Sequence, residues 1–114
     1  MQEHIQNELA SFIANCDWEK IAPHFKEDAA YRVLDWIGCA VAGEHYPQVE
    51  IAQKYFIENG DQGNSTVIGH QTKCSPRTAA FLNGIAGHVC ELDDGHRTAI
   101  GHPGSIAVPT ALAL

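Results

Sequence analysis

No apolar run in this chain approaches the ~18 uninterrupted residues that a membrane-crossing helix needs, so no spanning segment is expected. Basic side chains are scarce. Seven Lys and Arg against fourteen Asp and Glu give a formal charge of −7, which argues against a nucleic-acid or anionic-membrane surface. Cys16, Cys39, Cys74 and Cys90 form no Cys-x-x-Cys pair and have no close spacing to a paired His. That excludes a zinc ribbon and leaves reduced thiols in a cytoplasmic protein as the expectation. Met1-Gln2-Glu3-His4 has no basic region leading into an apolar core, the pattern of a secretory signal. Internal repeats and low-complexity tracts are also missing.

What remains is the composition of one globular domain: 114 residues, 45% of them apolar. Seven histidines could cancel the whole negative charge if protonated, so solubility should be poorest in mildly acidic solution.

Helical periodicity dominates the chain. Ile5, Leu9, Phe12 and Ile13 share one face of a short amphipathic helix ending near Asn15 to Trp18. Trp18, Ile21, Pro23 and Phe25 form a connection with enough apolar surface to pack down. The strongest pattern runs from about Lys26 to Ala42, with Ala30, Val33, Leu34, Ile37, Ala40 and Val41 inward and Gly43 as a stop where a left-handed residue costs little. Asp35 within it predicts a structural ion pair with Arg32 or a hydrogen bond. Pro47 opens a third helix with Val49, Ala52 and Phe56 inward, closed by Asn59-Gly60. Ser65 to Gly69 is short and β-branched, predicting an extended segment without a full sheet. Ser75-Pro76 caps a fourth helix through Leu92, with Phe81, Ile85, Val89 and Leu92 on one side. Ala80, Gly84 and Gly87 line another side, where a helix or a ligand comes close. A last helix starts at Ile106, with Pro109 tolerable only in its first turn. The expected fold is all-α, about five helices with one extended segment near 65–69. The bare apolar end, Ala111 to Leu114, reads as the interior of something longer.

Chemistry concentrates between the last two helices. His88 to Ser105 holds three carboxylates, three imidazoles and one guanidinium on a glycine-broken connection, an arrangement suited to acid–base work. Asp93 and His102 are the catalytic candidates, with Asp94, His96, Arg97 and Ser105 as substrate-binding candidates. Pro103 biases His102 toward an extended backbone. Asp93 and Asp94 would point about 100° apart at a helix end, so one can face the substrate while the other caps the loop or pairs with Arg97. His88 reads as a hydrogen-bonded packing residue, and His70 and Lys73 as solvated loop residues.

Three stretches resemble the MmgE/PrpD family, which includes 2-methylcitrate dehydratase and cis-aconitate decarboxylase. Ala30 to Gly43 (AYRVLDWIGCAVAG) resembles its "LLD-x-x-G-x-x-x-A-G" helix. Ser65 to Gly69 with Ala79 to His88 (STVIG, AAFLNGIAGH) resembles "ATVIG … AAF-x-NG-x-x-x-H". Glu91 to His96 with His102 to Gly104 (ELDDGH, HPG) resembles "D-F-D-D-T-H … HPG". The sequence departs from the pattern at Glu91, at Gly95 and across Arg97 to Gly101, which bears on the substrate more than on the reaction class.

The resemblance implies that residues 1–114 are the first part of a helical domain in a protein roughly four times as long, with an α+β domain beyond. It implies a lyase acting on di- or tricarboxylates by elimination or decarboxylation, with no cofactor and no metal, as in propionate catabolism. It further implies a small-molecule carboxylate partner, a cytoplasmic homodimer when full length, and no nucleic-acid or membrane partner. A polycarboxylate is repelled at long range by the acidic chain, so the site must be locally basic. The family's catalytic lysines would come from sequence beyond these residues, and the fragment alone would be inactive.

Two other functions compete. A metal-dependent hydrolase could use His88, Asp93, Asp94, His96 and His102, but no His-Glu-x-x-His spacing is present. A truncated, catalytically inactive helical interaction module would fit the apolar end.

Overall fold

A computed structural model describes residues 2–71 and 73–114 of the chain, with side chains from His4 onward. Five α-helices follow one another: α1 Gln2–Ala14, α2 Pro23–Gly43, α3 Pro47–Glu58, α4 Pro76–His88 and α5 Gly104–Ala113. A 3-10 turn over Trp18–Lys20, capped by the Asp17 carboxylate on Glu19 N–H, links α1 to α2. Among the described residues there is no sheet. Ser65 and Cys74 form one isolated antiparallel bridge, as the short β-branched run requires.

Helix α4 is the centre of the packing, and α5 and α2 lie against it with α3 alongside. Ser75 caps α4 by accepting from Thr78 N–H, and Pro76 occupies its first turn. Buried Asn83 then ties the extended segment to this helix. Its Oδ1 accepts from Ile68 N–H at 2.8 Å and its Nδ2 donates to the Thr66 carbonyl at 2.9 Å. Two buried clusters result. One joins Val67, Cys74, Ala79, Leu82 and Ala113, and the other joins Trp36, Ala40, Val49 and Ala86.

The third helix follows its sequence closely. Pro47 stands in its first turn, Val49 is buried, and Ala52 and Phe56 are half-buried. It closes as a Schellman motif: Gly60 sits at φ 80°, Gly60 N–H donates to Ile57, and Asp61 N–H donates to Phe56.

Elsewhere the inward faces differ from the periodicity. Helix α2 starts at Pro23 rather than Lys26 and buries Trp36, Cys39, Ala40 and Gly43, while Leu34 and Val41 stay exposed. Helix α4 stops at His88 rather than Leu92. It buries Thr78, Ala79, Leu82, Asn83, Ala86 and Gly87, leaving Phe81 and Leu92 exposed. The reason is close approach. A Cβ on Gly87 would lie 2.5 Å from Trp36 Nε1, and one on Gly84 would lie 3.2 Å from the Ser105 carbonyl oxygen. Small residues of α4 face helices, Leu82 fills the core, and bulky Phe81 is left outside.

Gly43 does end α2, but no left-handed turn is involved. A Cβ there would lie 2.8 Å from Val89 Cγ1 and overlap the Ala86 carbonyl, so glycine admits α4. Arg32 pairs with Asp28 at 2.7 Å, not with Asp35, because i,i+4 on the exposed face is the nearer carboxylate. Trp18 and Phe25 remain exposed instead of packing down, although Lys26 Nζ stands 4.7 Å over the Trp18 ring. Pro109 is internal to α5, since that helix begins at Gly104, two residues before Ile106. It is buried beside Gly84, and that packing offsets the hydrogen bond it cannot donate.

Candidate active site

Helix α4 delivers His88 in its last turn, and a loop then carries the chain to α5. Glu91 adopts φ 50°, which turns the backbone sharply after the helix. Asp93 follows, its side chain fully buried at 0% exposure. Asp94 accepts from Gly104 N–H at 2.9 Å, which satisfies one orphan donor at the start of α5. Of the adjacent pair, Asp94 therefore holds the loop and Asp93 enters the site. Between them and α5 the backbone folds back on itself: His96 N–H donates to Gly101, Ile100 N–H donates to His96, and Ile100 sits at φ 49°. This turn aims His102 at Asp93.

Four side chains meet there. Ser105 Oγ donates to Asp93 Oδ2 in a short hydrogen bond. His88 Nδ1 lies 3.1 and 3.2 Å from the two Asp93 oxygens. His102 Nδ1 is 3.4 Å from Asp93 Oδ1, and that nitrogen is buried without a hydrogen-bond partner. The two imidazoles are 4.6 Å apart and inclined at 63°. Burial alone would push the Asp93 carboxyl up. Hydrogen bonds from Ser105, His88 and the backbone, with the nearby His88 ring, hold it below the usual carboxylate range instead. Asp93 is thus a carboxylate at neutral pH.

The cluster stands between two concavities. A groove of about 670 Å³ between α4 and α5 is walled by Phe81, Ile85, Ile106 and Pro109, with His88, His102 and Ser105 among its polar lining. A smaller dish of about 380 Å³ is lined by His96, Arg97, Ile100 and His102. His102 borders both. Arg97 is exposed and makes no ion pair among the described residues, and His96 Nδ1 accepts from Ala99 N–H.

The structure thus brings Asp93, His102 and Ser105 together, sets His96 and Arg97 beside them in the dish, and gives Asp94 to the helix end. Sequence reasoning took His88 for a packing residue and counted it only among possible metal ligands. Its signal was its position five residues before Asp93, just where the helix stops. One ligand atom each from His88, Asp93 and His102 lies within 4.8 Å of the others, so these three could also hold a metal ion.

A family model for the MmgE/PrpD N-terminal domain matches residues 7–114. The chain belongs to the MmgE/PrpD family. It is 31% identical over 110 residues to the cis-aconitate decarboxylase-like protein oryM of Aspergillus oryzae, a match covering 96% of this chain and 23% of that protein. The chain therefore spans about a quarter of the length of that relative. All-α architecture is the N-terminal form of this MmgE/PrpD protein. No helix among the described residues is long and apolar enough to cross a membrane.

Proposed function

We propose that residues 1–114 supply the acid–base half of a metal-independent lyase that dehydrates or decarboxylates a di- or tricarboxylate. The observation that carries this reading is the buried Asp93 carboxylate, fixed by Ser105 and facing His102 where the groove meets the dish. Such chemistry removes a proton beside a carboxylate, or protonates a leaving hydroxyl or carbanion, and needs a positioned group that titrates near working pH. An ionised Asp93 cannot donate, so His102 moves the proton and Asp93 steadies its charge. Arg97 and His96 in the dish suit a substrate carboxylate, with the reacting carbon at His102. Dehydration of 2-methylcitrate and decarboxylation of cis-aconitate are the two reactions to test. Under this reading the chain is the first part of a larger helical domain, further cations come from the remainder, and the working protein is a cytoplasmic homodimer.

In the complete protein, His102→Ala should lower turnover by about 10²–10⁴-fold, and Asp93→Asn should lower it with the fold retained. The isolated 114 residues should turn over neither substrate. Full activity of His102→Ala in a folded protein would refute the assignment.

A second reading is favoured by one observation, the convergence of His88, Asp93 and His102 on a point where a metal could sit. Elemental analysis after dialysis separates the two. About one equivalent of zinc, iron or manganese, lost in His102→Ala, would replace the acid–base reading with a metal-dependent one.

A further inference from the structure

His88 was expected to be a packing residue, and its surroundings do not fit that role. Its side chain is 45% exposed on the wall of the groove, close to the 39% of His102, whereas the Asp93 carboxylate between them is fully covered. A ligand in the groove meets two imidazoles and a hydroxyl, with the carboxylate behind them. His88 also has the firmer hold on Asp93: its Nδ1 is within hydrogen-bonding distance of both oxygens, while His102 Nδ1 approaches one oxygen without a hydrogen bond. With Nδ1 engaged by the carboxylate, His88 keeps Nε2, on the far side of the ring, for other work.

We propose that His88 is a proton-transfer residue of this site, paired with His102 across the shared carboxylate of Asp93. The inference rests on the acid–base reading above and extends it. An elimination needs two groups, since one proton leaves carbon while another must reach the departing hydroxyl. A carboxylate that stays ionised supplies neither acid nor convenient exchange, and two rings 4.6 Å apart supply both.

In the step, one ring takes the proton from the carbon beside the substrate carboxylate. The C–H electron pair becomes the new C=C bond. The C–O pair leaves with oxygen, which collects a proton from the other ring and departs as water. The first ring then holds one proton too many and the second one too few. Transfer between them, directly or through water, restores the pair. Asp93 remains a carboxylate throughout, and Ser105 keeps it from rotating. Among the described residues that line the groove, Gln48 from α3 and Ser105 and Thr110 from α5 do not titrate in the working range, so the ionisable groups facing His88 are Asp93 and His102.

The test separates holding Asp93 from moving protons. In His88→Asn the amide nitrogen stands where Nδ1 stood and can still donate to Asp93, but no second ring nitrogen remains. In His88→Gln the amide lies nearer the position of Nε2. Both variants are made in the complete protein, and kcat and kcat/KM for 2-methylcitrate and cis-aconitate are followed against pH. A proton-transfer role predicts that His88→Asn folds normally, loses about 10²–10⁴-fold in kcat and loses one limb of the bell-shaped profile. His88→Gln should lose the same limb. If His88→Asn keeps both limbs and nearly normal kcat, His88 only holds Asp93 and the proposal is wrong. If both variants unfold, proton and nitrogen NMR of the wild-type imidazoles decides. The Nδ1–H tautomer at His88, with an exchanging Nε2 that responds to added substrate, supports the pairing, and an unresponsive ring overturns it. A wild-type protein that turns over no di- or tricarboxylate brings down the lyase reading and this pairing together, an outcome distinct from a working enzyme indifferent to His88.

Discussion

Two glycines five residues apart on α2 should respond to alanine in opposite directions, and the contrast tests the packing that positions the site. At Gly38 an added Cβ meets nothing within 4 Å. Alanine there removes only the helix-interior penalty of glycine, so Gly38→Ala should stabilise by about 1 kcal/mol. At Gly43 the Cβ would overlap the Ala86 carbonyl oxygen and lie 2.8 Å from Val89 Cγ1. The carbonyl belongs to backbone and cannot swing aside, so α2 and α4 must separate. Gly43 is also the last residue of its helix, which leaves little propensity to gain. Overpacking of this kind destabilises by about 1–3 kcal/mol. Denaturant unfolding of the two variants, with unchanged slopes, gives the difference. Because α4 carries His88 in its last turn, Gly43→Ala in the complete protein should also depress the proposed turnover, while Gly38→Ala leaves it unchanged. A shift of the same sign in both variants would refute the argument from helix approach.

Acid should unfold the protein partly through Asp93. Its folded-state pKa is depressed, so its contribution is complete above the unfolded value of about 3.9 and disappears as pH falls through the folded value. Asp93→Asn should lose about 1.5–3 kcal/mol at neutral pH and show a flatter acid limb in a pH series of denaturant melts. An unchanged acid limb would mean that the carboxylate is not held as described. Gly60→Ala places a side chain at φ 80° in the α3 cap and should destabilise by about 1 kcal/mol in the same assay. Ile100 holds φ 49° and is 90% exposed. Relieving a left-handed β-branched residue gains about 1–2 kcal/mol against roughly 0.5–1 kcal/mol of glycine entropy. Ile100→Gly should therefore be neutral to mildly stabilising, and a loss beyond about 1 kcal/mol would show that the side chain packs.

The helices were legible where local chemistry decides them. Pro47, Asn59-Gly60 and Ser75-Pro76 mark boundaries that the structure keeps, because caps and proline act within one turn. Inward faces were less legible. Periodicity rewards the bulky stripe of Leu34 and Val41 on α2, or Phe81 on α4 with Leu92 beyond its end, yet these are exposed. The buried contact runs through Ala40, Gly43, Ala86 and Gly87, whose value is that they are small and let backbones meet. A hydrophobic pattern carries no term for close approach. Pro109 shows the same limit, since its place inside α5 depends on Asp94 reaching ten residues along the chain to start that helix early.

At the site, residue types were legible and their arrangement only partly so. Acids, bases and a guanidinium on a broken loop pointed to Asp93 and His102, and the structure sets them 3.4 Å apart. Which member of Asp93-Asp94 would enter the site depended on the hydrogen bond from Gly104, a tertiary fact. His88 was harder still. On a helix, a histidine five residues before an acid faces away from it. Here the helix stops at His88 and Glu91 turns the chain left-handed, which folds Asp93 back against the ring it has just passed. The turn that creates the cluster is thus carried by a residue outside it. Glu91→Pro, locked at negative φ, should break the His88–Asp93 contact without touching either side chain. A variant that kept both its fold and its turnover would show that the cluster does not depend on that turn.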